Sequence, residues 1–153
     1  MFMYNAGGMK INDSDKTVLA VDWGRKRLGL AVSDPTWMLA RPLDVIKHIS
    51  RREDAEKILE IAQKNNVGLI IIGMTYDDNF TPTHNGRSAM RLLEEIKNLG
   101  AIPVATWDEE GSTRAAISSR VKMGSSRKKR KGHLDSIAAA IFLQNYLDSE
   151  SEK

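Results

Sequence analysis

Apolar and polar positions change period several times along this chain, and each change marks an element. TVLAV, Thr17 to Val21, is a short β-branched and apolar run that predicts a strand. Leu28 to Val32 predicts a second strand, with DWGRKR as a hairpin-length connection. A third is expected over Leu43 to Lys47, after Pro42. Ser50 and Glu53 have capping-box spacing, and Ala55, Ile58, Leu59 and Ala62 fall on one face, so a helix should open at Ser50. VGLIII, Val67 to Ile72, is the most apolar run and reads as a central strand covered on both faces. Leu92, Leu93, Ile96 and Leu99 mark a second helix, ended by Gly100 in the usual C-cap position. Ile102 to Trp107 predicts a fifth strand, and helices are expected over about 113–123 and 134–147.

A meander of three strands followed by alternating helices and strands implies an α/β fold, a five-stranded mixed sheet with helices on both faces. The order matches the ribonuclease H-like architecture, one candidate among several α/β folds on periodicity alone. Residues 1–15 are polar, hold Gly7 and Gly8 and lack periodicity, so they read as a flexible tail before a single domain at 16–148. Residues 149–153 read as a second flexible tail.

At 153 residues, 41% of them hydrophobic, the chain has enough apolar material for one real core. No apolar run approaches the roughly 20 residues that span a bilayer, and the first residues lack a basic start followed by an apolar core. The absence of cysteine excludes a disulfide framework, a thiolate metal site and a cysteine nucleophile. The expectation is a cytoplasmic protein without a membrane partner.

Charge is segregated. Between Glu110 and Asp135 lie eight basic residues and no acid: Arg114, Arg120, Lys122, Arg127, Lys128, Lys129, Arg130 and Lys131. The net charge is +3 overall, and the body before the acidic DSESEK terminus carries about +5. Such a distribution favours a polyanionic partner.

Three places offer carboxylates that an α/β fold can gather. Asp22 closes the first strand, Asp108, Glu109 and Glu110 follow the fifth, and Asp135 begins the last helix. On that helix Ala138, Ala139 and Phe142 share the side of Asp135, so small residues would let it lie close to the sheet. Clustered carboxylates repel one another unless cations sit among them. Mg²⁺ or Mn²⁺, hard ions that take oxygen ligands and substrate phosphate, meet that need. Taken singly, each acid is more often an ordinary turn or first-turn residue. His48, His84 and His133 have no metalloprotease spacing, and no P-loop or nucleophile elbow is present.

Jointly, these motifs resemble a known family. AVDWGRKRLGLAVSD is similar to the opening block of the YqgF (RuvX-like) family, LIIIGMTYDDN to its second block, TWDEEGSTRAA to its third, and RKKRKGHLDSIAAAIFLQNYLD to its closing basic run and helix. The blocks occur in order from Val18 to Asp148. The resemblance implies a ribonuclease H-like, divalent-metal-dependent nuclease, acting in 5′-end maturation of 16S rRNA precursor or as a Holliday junction resolvase. It carries the catalytic and metal-binding roles onto Asp22, Glu109 and Asp135, with Asp108 as a reserve. Glu110 and Gly111 stand where the family has Arg and Leu, Ser112 replaces its first Thr, and Thr75 and Asn79 replace a Pro and a Gly. Substrate contacts near the fifth strand are therefore expected to differ.

Arg25, Lys26 and Arg27 adjoin Asp22, and Arg127 to Lys131 precede the helix of Asp135; both groups are expected to bind nucleic-acid backbone, RNA or structured DNA. Trp23 and Trp107 adjoin the acids and fit either base stacking or packing at strand ends. A non-catalytic nucleic-acid-binding module is the alternative from another class. A nucleotide-hydrolysing relative of the actin-like group is disfavoured, because the chain is short for paired domains. A monomer or weak homodimer is expected, without an identifiable dimer stripe.

Overall fold

The protein is described from a computed structural model covering residues 2–4, 10–12, 16–108 and 134–152. Within the segment read as an N-terminal tail, β1 (Phe2–Tyr4) and β2 (Lys10–Asn12) pair antiparallel. The domain is then built from β3 (Thr17–Asp22), β4 (Arg27–Ser33), β5 (Ala40–Lys47), α1 (Arg51–Lys64), β6 (Val67–Met74), α2 (His84–Leu99), β7 (Val104–Asp108) and α3 (Leu134–Ser151). The helix expected over 113–123 lies outside the described residues.

The sheet has the order β5-β4-β3-β6-β7, with β3, β4 and β5 antiparallel in sequence and β3, β6 and β7 parallel. This is the five-stranded mixed sheet that the strand order implied. Pro42 is accommodated because β5 is the last strand on its side, where one missing donor breaks no inner ladder.

Side-chain alternation divides the core into two layers. Leu19 and Val21 of β3, Leu28, Leu30 and Val32 of β4, and Ile70 and Ile72 of β6 pack with Ile58 of α1 and Leu92 and Ile96 of α2. Val18, Ala20, Ala31 and Ile71 pack on the other face with Ala139, Phe142, Leu143 and Leu147 of α3. Near the start of α3 its face of β3 and β4 carries Ala20, Gly29 and Ala31, small residues that let a single helix lie close there. The other face carries larger residues under two helices.

Local signals set the helix ends. Ser50 caps α1 by accepting from the Glu53 amide at 3.1 Å, as the capping-box spacing predicted. Thr83 caps α2 through the Gly86 amide at 3.1 Å, so this helix begins well before its apolar stripe. Gly100 does end α2, but in an extended conformation. A Cβ there would lie 2.7 Å from Leu59, so close packing against α1 favours glycine.

Candidate active site

The period of two along β3 decides which way Asp22 faces. Leu19 and Val21 lie under α1 and α2, and Val18 and Ala20 under α3, so Asp22 belongs to the α3 side. Its partner across the antiparallel ladder is Gly29. A Cβ on Gly29 would sit 2.0 Å from the carbonyl oxygen of Asp135 and 2.3 Å from its carbonyl carbon. Only a residue without a side chain lets the first turn of α3 rest on β4 in this way. That contact brings Asp135, more than a hundred positions away in the chain, beside Asp22.

The juxtaposition shapes the electrostatics of Asp22. Burial, and then the negative charge of Asp135, push the Asp22 carboxyl from 3.8 up to about 7. Asp135 is answered by Arg27, whose Nε lies 3.3 Å from Oδ2. Both partners are a little over one-third exposed, at 38% and 36%, so the pair is screened by water.

Of the three predicted ligands, the structure brings together Asp22 and Asp135, and Glu109 lies outside the described residues. Asp108 ends β7, opposite Met74 of β6, two strands across from β3. Among the described residues, no group of three or more His, Asp or Glu side chains could hold a metal ion. Arg25 and Lys26 are exposed in the turn after Asp22, whereas Arg27 is partly buried against Asp135. Arg127, Lys128, Lys129, Arg130 and Lys131 lie outside the described residues.

Trp107 packs on α3, with ring centroids 5.5 Å from Phe142 and 5.8 Å from Tyr146. Trp23 lies on the α1 and α2 side, edge to face with His48 at 5.7 Å and His84 at 6.4 Å. Beside it is a cavity of about 310 Å³ lined in part by Arg25, Arg51 and Arg91. Asp54, 2% exposed, bonds His48 Nδ1 and accepts from the Ile49 amide at 3.0 Å. None of this cluster was predicted apart from Trp23 and Arg25. Its members come from α1, α2 and the segments that follow β3 and β5, and the one sequence signal was an aromatic residue directly after Asp22.

No described helix is long and apolar enough to cross a membrane. The family model described as "RuvX: Holliday junction resolvase" matches residues 16–149. A protein of Thermoanaerobacter pseudethanolicus named "Putative pre-16S rRNA nuclease" is 38% identical over 137 residues, 89% of this chain and 99% of its own length. A protein of the same name from Endomicrobium trichonymphae is 36% identical, covering 89% of this chain and 98% of its own. Among solved structures, RuvC of T. thermophilus with a Holliday junction substrate superposes with a TM-score of 0.53 at 18% identity, covering 89% of this chain and 96% of that one. The fowlpox virus Holliday junction resolvase gives 0.50 at 16%, covering 87% and 99%. At such identities these two show the fold, that of the ribonuclease H-like resolvases. The family match spans the domain, with both gathered acids inside it, and the chain belongs to the RuvX family.

Proposed function

We propose that this protein is a divalent-metal-dependent nuclease that hydrolyses phosphodiester bonds in the 5′-end maturation of 16S rRNA precursor. The observation that carries this is the Asp22–Asp135 pair, held at the end of β3 in a RuvX-family chain whose full-length relatives bear the pre-16S rRNA nuclease name. A buried carboxylate raised to about 7, by burial first and then by a second carboxylate beside it, is unfavourable in its charged form. Mg²⁺ or Mn²⁺ between them would remove that cost, and the all-oxygen donor set suits such ions. When bound, such a cation supplies Lewis-acid polarisation of the phosphate and a lowered pKa for water.

The chain's own residues divide the remaining work. Asp22 and Asp135 would hold the cation, and Glu109 is proposed as their third partner. Arg27 holds Asp135 in place and limits the negative charge facing a polyanion. Exposed Arg25 and Lys26, with Arg127 to Lys131, would bind backbone phosphates with little sequence reading.

A second reading is Holliday junction resolution on DNA, favoured by the family description and the RuvC-like fold. Purified protein with Mn²⁺ or Mg²⁺ should be offered a 16S precursor with its 5′ leader and, separately, a four-way DNA junction. Cleavage of the RNA alone supports the proposal. Cleavage of the junction alone replaces it with the second reading, and no metal-dependent cleavage of either refutes both.

A further inference from the structure

The cavity beside Trp23 lies outside the acid pair. Asp22 faces α3, whereas Trp23 packs toward α1 and α2, so the two flank the end of β3 from opposite faces of the sheet. At about 310 Å³ the cavity is at the small end of ligand sites, suited to one nucleotide rather than a folded element. Arg25, Arg51 and Arg91 bring three positive charges to its lining. The acid in the lining, Asp54, is buried and already engaged by His48 and the Ile49 amide. With His48 Nδ1 committed to Asp54, the ring has Nε2 left for a ligand. The starts of α1 and α2 both border the cavity, through Ser50 and Arg51 and through His84, adding helix-terminal polarity that favours an anion.

From this combination of aromatic surface, three guanidiniums and a positioned imidazole, we infer that the cavity binds one nucleotide of the substrate strand, its base against Trp23 and its phosphate toward Arg25, Arg51 and Arg91. The inference rests on the reading of nucleic acid as substrate. It adds a positioning subsite on the face of the sheet opposite the acids, so a strand crossing the end of β3 is gripped on one side and cut on the other. Base stacking on an aromatic ring tolerates any sequence, as a strand-gripping subsite requires.

The test uses the full chain in EDTA, with adenosine monophosphate as probe and the three tryptophan indole N–H resonances as reporters, assigned by Trp→Phe substitution. AMP should shift the Trp23 signal saturably and more than those of Trp37 and Trp107. Arg51→Glu and Arg91→Glu, both at exposed positions, should weaken binding at least tenfold, whereas Lys97→Glu at the far end of α2 should not. A short single-stranded RNA should displace AMP. Equal shifts on all three indoles, equal response to inorganic phosphate alone, equal weakening by Lys97→Glu, or RNA that does not compete would each overturn the assignment. Cleavage assays separate the two proposals. A protein that cleaves RNA with KM unaltered by Arg51→Glu and Arg91→Glu loses the subsite and keeps the nuclease. One that binds AMP and RNA at Trp23 but cleaves nothing loses the nuclease and keeps the subsite.

Discussion

Replacing Gly29 by alanine adds one methyl group where the first turn of α3 meets β4. The new Cβ would lie 2.0 Å from the Asp135 carbonyl oxygen and 2.9 Å from the Ser136 amide nitrogen. Ordinary contact begins near 3.4 Å, so the helix start must retreat by about 1.4 Å or the strand must bend. Both neighbours are backbone, and no rotamer change relieves the clash. Overpacking of this kind costs about 2 kcal/mol, a fall in Tm of about 4–8 °C for a chain of this size. The catalytic cost should be larger than the stability cost. Asp135 travels with the displaced turn, and a 1 Å misplacement of a reacting group is worth about 10²-fold in rate. The assay is Mn²⁺-dependent RNA cleavage well below the variant's Tm, with circular dichroism to confirm the fold. Gly29→Ala should lose about two orders of magnitude in kcat. Wild-type kcat together with wild-type Tm would refute the claim that this glycine seats Asp135 at the site.

Asp22→Asn should abolish cleavage, yet raise stability in metal-free buffer at pH 8. The folded pKa of Asp22 is raised from 3.8 to about 7, so its destabilising effect is absent below pH 4, grows through that interval and is complete above it, with an upper bound of about 4 kcal/mol. Denaturant melts at pH 4 and pH 8 read the difference; a variant less stable than wild type at pH 8 would contradict it. Asp34 has the opposite sign: the Leu39 amide and the Thr36 hydroxyl, then the Met38 and Thr36 amides, hold its carboxyl at about 2. Asp34→Ala should cost about 1 kcal/mol near neutral pH after solvent screening, and urea melts should show the gap closing as pH falls from 4 toward 2. Arg27→Ala should cost less than about 1 kcal/mol of stability, because the ion pair is screened. It should also tighten Mn²⁺ binding several-fold by calorimetry, since it removes the cation that competes for Asp135; unchanged or weaker binding would show that the two do not compete.

Much of the fold was legible because strands and helices differ in period. β3, β4 and β6 read as apolar runs, and Ser50 announced α1 before any contact was known. The boundaries that moved did so where tertiary structure overrode the pattern. β5 begins at Ala40, three residues before the expected start, because its pairing with β4 continues through Arg41 and Pro42 and the Ala40 amide is tied to Gln144 of α3 at 2.9 Å. α2 begins at His84 because Thr83 caps it and because Gly86 and Ala89, its first buried residues, are too small to register as an apolar stripe. The acid pair was legible as two separate motifs, but Gly29 was not. A glycine inside a strand signals a close approach without naming its partner. The Trp23 cavity was the least legible, since α1, α2 and the end of β5 reach it only after the sheet is formed.

Pro42 has one more consequence. An exposed β-strand offers its unpaired amides and carbonyls as a template on which another chain can crystallise, and amyloid grows by that route. On the β5 side this template is defective: a proline cannot donate, the ladder slips by one residue between Leu30 and Ala31, and Gln144 takes up the Ala40 amide and the Met38 carbonyl. Concentrated solutions of this protein should therefore resist fibril growth by strand addition at β5.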